Sequence, residues 1–164
     1  MLRSGTCGLA AFAILGTCSL SALADTNPTL DPGHEYMVTT NYPNNLHVID
    51  LQTDTLYKTC TLPDAFGPGT VQLSPDHKIA YVLNNHYADV YGVELDSCKQ
   101  VFHASITQKS GEKARSMFAF TVSHDGKELY TVANPTLMLK DRYEVQQPRL
   151  DRSEERRVGK ECPR

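Results

Sequence analysis

Ser123-His124-Asp125 sets a hydroxyl, an imidazole and a carboxylate side by side, the three groups a serine hydrolase uses. The spacing argues against that chemistry, because adjacent side chains in a tight turn cannot converge as nucleophile, base and orienting acid. Ser74 and Asp76 stand in the same arrangement 49 residues earlier. A hydroxyl–carboxylate pair that recurs within one chain is expected to build a turn. The six histidines are His34, His47, His77, His86, His103 and His124. None pairs at His-x-x-x-His spacing, so no helix-face metal site is expected. His34, His77 and His124 lie in or beside turns and are expected to be exposed polar residues. Cys60 and Cys98 stand in no Cys-x-x-Cys or Cys-x-x-Cys-His pattern, which leaves no local signal for a redox pair, a zinc knuckle or covalent haem. The sequence therefore assigns no catalytic, cofactor-binding or metal-binding residue.

The elements that would position these residues repeat. Ser74-Pro75-Asp76-His77-Lys78-Ile79-Ala80-Tyr81-Val82 returns as Ser123-His124-Asp125-Gly126-Lys127-Glu128-Leu129-Tyr130-Thr131. A looser copy, Asp31-Pro32-Gly33-His34-Glu35-Tyr36-Met37, stands 45 residues before the first, so Tyr36, Tyr81 and Tyr130 share one slot. Each copy is a turn set by Pro, Asp or Gly, then a strand of β-branched and aromatic residues. Those strands are expected to stop at Asn41, Asn84-Asn85 and Asn134-Pro135. A second motif, Leu46 to Leu51, returns as Val90 to Leu95. Outer strands follow at Leu56–Leu62 and Gln100–Ile106.

Four short strands in about 40–50 residues form the signature of a propeller blade. The expected fold class is all-β, the N-terminal part of a β-propeller with under three blades. A non-repeating β-sandwich is the alternative. A closed propeller needs at least four blades, each covering its neighbour. A chain this short is expected to leave an open blade face and exposed strand edges, and to be unstable or aggregation-prone alone.

Both ends read differently from the repeat. Arg3, the apolar run Leu9–Leu15 and Ala22-Leu23-Ala24 follow the order of a secretory leader, with cleavage expected near Ala24-Asp25 and residues 1–24 removed. Arg152 to Cys162 looks like the in-frame translation of a sequencing-library adapter, so residues 152–164 are expected to be non-native. A charged, solvated tail is the alternative. The expected organisation is leader 1–24, partial propeller 25–151 and tail 152–164. The chain holds 16 basic and 19 acidic residues. Setting aside Arg3 and the tail's five basic and three acidic residues leaves 10 basic and 16 acidic, a net of -6. Such a surface repels phosphate backbones, so nucleic acid is not expected as a partner. Membrane insertion is not expected either. Cys7 and Cys18 belong to the leader and Cys162 to the tail, which leaves Cys60 and Cys98. An oxidising compartment would permit a disulfide between them. They occupy non-equivalent positions in the repeat, and their pairing stays open.

Tyr81-Val82-Leu83-Asn84 resembles the Tyr-Val-Thr-Asn signature of a superfamily of bacterial propeller repeats. Arg115-Ser116-Met117-Phe118-Ala119-Phe120-Thr121-Val122-Ser123-His124-Asp125-Gly126-Lys127 resembles the β subunit of quinohemoprotein amine dehydrogenase. So do Tyr143-Glu144-Val145-Gln146-Gln147-Pro148-Arg149-Leu150 and the early stretch from Glu35 to Leu51. The resemblance covers essentially all of 34–150 and is best over 115–150, where an extended link, Met138 to Pro148, departs from a generic blade. It implies a seven-bladed scaffold subunit in a periplasmic heterotrimer that oxidatively deaminates primary amines. Its cofactors, cysteine tryptophylquinone and haem c, would sit in two partners, a small quinone-bearing subunit and a dihaem cytochrome c subunit. The alternatives are a generic exported propeller that binds a partner without redox chemistry, and a self-contained propeller enzyme such as a lactonase-type hydrolase. In any of them, ligands are expected near loops such as Phe66-Gly67-Pro68-Gly69-Thr70. Phe118 and Phe120 could wall an apolar pocket, though core packing is the commoner role of a buried Phe.

Overall fold

The computed structural model describes residues 29–154. The expected leader and residues 155–164 of the expected tail lie outside the described residues. Eleven strands follow one another: β1 (Tyr36–Asn41), β2 (Asn45–Asp50), β3 (Thr55–Thr61), β4 (Val71–Leu73), β5 (Ile79–Asn84), β6 (Asp89–Glu94), β7 (Gln100–Ser105), β8 (Glu112–Val122), β9 (Glu128–Met138), β10 (Tyr143–Val145) and β11 (Arg149–Glu154). They form three antiparallel sheets. The first is β1-β2-β3 and the second is β4-β5-β6-β7. In the third, β9 lies between β8 on one side and β10 and β11 on the other. The chain is all-β over this span, a partial β-propeller of one three-stranded and two four-stranded sheets.

The strand alternation explains the stacking. In β2, Leu46, Val48 and Asp50 point to one face, as a period of two requires. Leu46, Val48, Cys60 and Leu62 of blade 1 pack on Ala80, Val82, Tyr91 and Val93 of blade 2. The opposite face of blade 2, with Tyr81, Leu83, Val90 and Phe102, packs on Ala114, Phe120, Leu129 and Ala133 of blade 3. The shared tyrosine slot thus has a consistent direction: Tyr36 packs toward blade 2 and Tyr81 toward blade 3. Blade 2, covered on both sides, buries nearly all of β5 and β6, whereas β1 is only half-buried. Gly92 permits that density, since a Cβ there would come within 2.8 Å of the Phe102 Cβ and 3.1 Å of the Tyr81 ring. Both finished hairpins also carry a bulge at one matching place, between Val48 and Ile49 and between Gly92 and Val93.

The Ser–Asp pairs are turn hardware. Ser74 Oγ donates to Asp76 Oδ1 at 2.6 Å and accepts from Ile79 N at 2.9 Å, while Lys78 N donates to Asp76 Oδ1 at 3.2 Å. Ser123, Asp125, Lys127 and Glu128 repeat the set at 2.6, 3.0 and 3.2 Å. In the third copy Gly33 N donates to Asp31 Oδ1 at 2.8 Å, the same bond one blade earlier. The bond from Ser74 holds the Asp76 carboxyl below the usual range, and the bond from Ser123 does the same for Asp125. His77 and Gly126 share the next position, with φ of 59° and 73°.

One open pairing is settled and two expectations are corrected. Cys60 and Cys98 are joined in a disulfide, with Cα atoms 5.2 Å apart. Their non-equivalence in the repeat is what lets them meet: Cys60 lies on the face blade 1 turns to blade 2, and the turn of blade 2 reaches back to it. The strand expected to stop at Asn134-Pro135 runs on to Met138. Pro135 lacks an N–H, yet it pairs opposite Ala114 while its carbonyl accepts from Gln146 N at 3.0 Å. His34 is half-buried rather than an exposed turn residue, with Nδ1 2.7 Å from Oδ2 of the buried Asp50, which lowers the Asp50 pKa. His77 and His124 are exposed as expected. Strand β11 also carries pairing across the expected 151/152 boundary, with Arg152 opposite Tyr130.

Two measurements follow. Non-glycine residues in the left-handed region cost about 1–2 kcal/mol, so His77→Gly should raise stability by about 1 kcal/mol in urea unfolding, and Gly126→Ala should lower it. Reducing the 38-residue Cys60–Cys98 loop should lower stability by about 2–4 kcal/mol, read as a drop in urea midpoint in dithiothreitol. An unchanged midpoint would refute the bridge.

Candidate functional site

The turns and loops at one end of the blades come together: 42–44, 62–70, 85–88 and 106–111. The loop Phe66–Thr70 is stapled there by backbone bonds. Gly67 N donates to Pro43 O and Gly69 N to Leu83 O, each at 2.8 Å, and Leu83 N donates to Thr70 O at 2.9 Å. Asn85 holds Phe66 from both sides, its Oδ1 accepting from Phe66 N and its N donating to Phe66 O, each at 2.9 Å. Asn85, His86 and Tyr87 are three consecutive residues with positive φ, at 53°, 56° and 68°. This left-handed turn presents the His86 ring 6.0 Å from that of Phe66, and the Tyr42 ring lies 5.2 Å from that of Phe66. All three side chains are exposed. They form an aromatic ridge on the rim, with surface for a planar or apolar ligand.

The second feature is the inner strand of blade 3, which carries the Arg115–Lys127 stretch. β8 lies beside β9 as β4 lies beside β5, which puts it at the inner edge of the stack. Its pairing with β9 breaks between Ser116 and Phe120, and Met117, Phe118 and Ala119 bulge out. The bulge is pinned: Ser116 Oγ donates to Ala119 O at 2.8 Å, Thr131 Oγ1 donates to the same oxygen at 3.0 Å, and the two hydroxyls are 2.8 Å apart. Ser116 N also donates to Tyr87 O at 2.7 Å, which links the bulge to the rim turn of blade 2. Phe120 is buried in the interface with blade 2, so its role is core packing. The side chain of Phe118 lies outside the described residues.

Sequence reasoning missed the ion pairs. Arg149 bridges Glu112 in bidentate fashion, Nη1 to Oε2 and Nη2 to Oε1, both at 2.8 Å. Its Nε reaches Asp151 Oδ1 at 2.8 Å and its Nη2 reaches Ile106 O at 3.1 Å. The guanidinium therefore ties β11 to the start of β8 and to the loop from blade 2. Glu112 is almost wholly buried, and the Arg149 hydrogen bonds pull its pKa from 4.5 to about 2. The buried Lys58 donates from Nζ to Leu95 O at 2.8 Å and Asp96 O at 3.2 Å across the blade 1–2 junction, and burial lowers its pKa. Charged residues 37 positions apart give no local signal; only the strand pairing of β9 with both β8 and β11 makes them neighbours.

The remaining histidines do not gather. His47 Nδ1 lies 2.8 Å from Thr59 Oγ1 and His103 Nε2 lies 3.4 Å from Asp89 Oδ1. Among the described residues no group of three or more His, Cys, Asp or Glu side chains could hold a metal ion, and no helix is long and apolar enough to cross a membrane.

Three blade-like sheets stacked about an inner edge make this chain part of a β-propeller. No protein-family model matches it, and no curated protein does. Among solved structures it is similar to a putative 6-phosphogluconolactonase from Bacteroides fragilis, at 18% identity and TM-score 0.44, over 77% of this chain and 40% of that one. It is similar to a protein from Lactobacillus plantarum at 18% identity and TM-score 0.40, over 70% of this chain and 41% of that one. It is also similar to the β-propeller domain of Cps50 (Swd1) from Myceliophteria thermophila, at 10% identity and TM-score 0.40, over 67% of this chain and 54% of that one. The chain thus spans about half or less of the length of these structures.

The Arg149 clamp sets an acid limit. Glu112 is depressed in the folded state, so its contribution is complete above the unfolded value of 4.5 and is lost as pH falls through about 2. Arg149→Ala should lower stability by about 3 kcal/mol at neutral pH, because it strands a buried carboxylate. It should also move the acid unfolding limb to higher pH, as Glu112 then titrates without its partner. Urea midpoints measured from pH 2 to 7 check both, and parallel profiles for the two proteins would refute the clamp.

Proposed function

We propose that this chain is part of the β-propeller scaffold subunit of a periplasmic quinohemoprotein amine dehydrogenase, which oxidatively deaminates primary amines. The observation that carries the reading is the resemblance over Arg115–Lys127 and Tyr143–Leu150. These two stretches, separated by residues 128–142, lie in one blade, with Arg149 of the second bonded to Glu112 at the start of the strand that carries the first. The departures from a generic blade, the Met117–Ala119 bulge and the β10 addition, fall within or beside those stretches. The Cys60–Cys98 disulfide suits an exported protein, since such bonds persist in oxidising compartments. In this reading cysteine tryptophylquinone and haem c would reside in the small quinone-bearing and dihaem cytochrome c partners and would supply the redox chemistry of amine oxidation. The residues of this chain pack and position; they carry no chemical step. Seven blades in the complete subunit is part of the same proposal.

A second reading, an exported propeller that binds a partner without redox chemistry, draws on the exposed ridge of Tyr42, Phe66 and His86.

The test is to express the complete coding sequence with its neighbouring genes and purify on a tag fused to the propeller. The proposal expects a haem c absorption spectrum in the purified complex and bleaching of a dye acceptor on adding a primary amine. A propeller that purifies alone and haem-free, or neighbours without a dihaem cytochrome gene, would sink it.

A further inference from the structure

Three elements meet at the turn between β6 and β7, residues 95–99, at the far end of the blade 1–2 junction. Cys98 of the turn is bonded to Cys60 of β3. Lys58 of the same strand donates from Nζ to Leu95 O and Asp96 O, at 2.8 and 3.2 Å. The third element is a strap just before β1, residues 29–31. Leu30 N donates to Asp96 Oδ1 at 3.0 Å, and Leu30 packs on the core shared by blades 1 and 2. Thr29 O accepts from the Tyr57 hydroxyl at 2.6 Å, and Asp31 N donates to the Tyr36 hydroxyl at 3.1 Å. The strap thus holds blade 1 through two tyrosines and blade 2 through one aspartate of the bridged turn. The two cysteines differ in access. Cys60 is 1% exposed and lies within β3, opposite Leu46. Cys98 is half-buried, in a turn whose Asp96 and Lys99 are exposed.

We propose that the Cys60–Cys98 bridge is a redox latch: a dithiol opens it at Cys98 and frees the 29–31 strap while the sheets stay folded. One thiolate of the dithiol attacks Cys98 Sγ from the solvent side, and Cys60 Sγ leaves as a thiolate that takes up a proton. The second thiol of the reagent then closes on the first and releases Cys98 as a thiol. The dithiol ends as a disulfide and the protein as two thiols, so electrons and protons balance. The strap is the element this loosens first. Its bond to blade 2 ends on Asp96, two residues from Cys98, so it docks only while the turn keeps its offset from β3. The bridge fixes that offset, and without it Lys58 is left to tie the turn to β3. The sheets do not depend on the bridge in the same way. Strand pairing holds each one, and Leu46, Val48, Ala80 and Val82 stay packed between them. A short segment with few contacts beside such a core opens locally, without global unfolding. Closing again is direct, because β2 holds Cys60 in register and Cys98 N donates to Glu94 O at 2.9 Å. The inference is independent of the amine dehydrogenase reading.

Amide hydrogen exchange of the full chain, read by mass spectrometry before and after dithiothreitol without denaturant, tests the latch. Alkylation and peptide mapping report whether Cys60 and Cys98 are reduced. Exchange at Leu30 and Asp31 should speed up at least about tenfold on reduction, while β5 and β6 keep their protection. Reoxidation should restore the slow exchange. Cys98→Ser should show the freed strap without any reductant. Asp96→Ala keeps the bridge and should also free Leu30, so that reduction then adds little; it carries the test should Cys98→Ser fail to fold. A bridge that dithiothreitol opens only in urea would overturn the proposal. So would a strap whose exchange is unchanged once both cysteines are alkylated. Exchange that rises equally in the strap, β5 and β6 would overturn it too, and would make the bridge a staple of the whole junction.

Discussion

Each sheet satisfies its backbone through strand pairing and still presents two faces of apolar side chains to water. Covering those faces is the constraint on which the rest of this molecule depends. Burying side chains such as Leu46, Val48, Leu83 and Phe102 contributes about 1.5–3 kcal/mol each, against about 1 kcal/mol for a typical internal hydrogen bond. Blade 2 shows the constraint met: between two neighbours, its β5 residues from Ala80 to Asn84 are all buried. Among the described residues blades 1 and 3 each meet it on one side only, and Met37, Leu56, Met117, Val132 and Leu150 are exposed.

Polar ties sit where the apolar faces give out. Lys58 caps the Leu95 and Asp96 carbonyls at the far end of the blade 1–2 junction, beside the Cys60–Cys98 bridge. Thr40 Oγ1 donates to Gly69 O near the rim, where the loop between blades turns inward. Arg149 does the same work for blade 3, gathering Glu112, Asp151 and Ile106 O. Each tie uses one long or branched polar side chain to fix the angle between sheets, which apolar contact alone would leave free to slide.

Blade 3 keeps the repeated turn and changes the strands. The Ser123–Asp125 set reproduces the Ser74–Asp76 bonds within 0.1 Å. Yet β8 and β9 run to 11 residues each, against three and six for β4 and β5. The extra length carries the hydroxyl-pinned bulge at the inner edge and the platform on which β10 pairs. A fold that repeats its turns for stability and varies its inner strands has a place to put specificity without disturbing the stacking.

The sequence by itself determined the repeated turns, the strands β1 to β3 and β5 to β7, and the start of β9. Ser-x-Asp followed by alternating β-branched and aromatic residues is a local signal, because a hydroxyl and a carboxylate two residues apart bond the same short stretch of backbone. The tyrosine slot was legible for the same reason. Pro135 misled because the proline rule weighs a lost N–H, and here the paired carbonyl was what mattered. Tertiary structure alone decided that Cys60 reaches Cys98, that His34 closes on Asp50 and that Arg149 finds Glu112. Those contacts depend on the angle and offset between sheets, which no spacing within one repeat encodes. The candidate ridge divides the same way: Phe66 lay in a loop the repeat marked out, but Tyr42 and His86 join it only because two hairpin turns of different blades end at one rim.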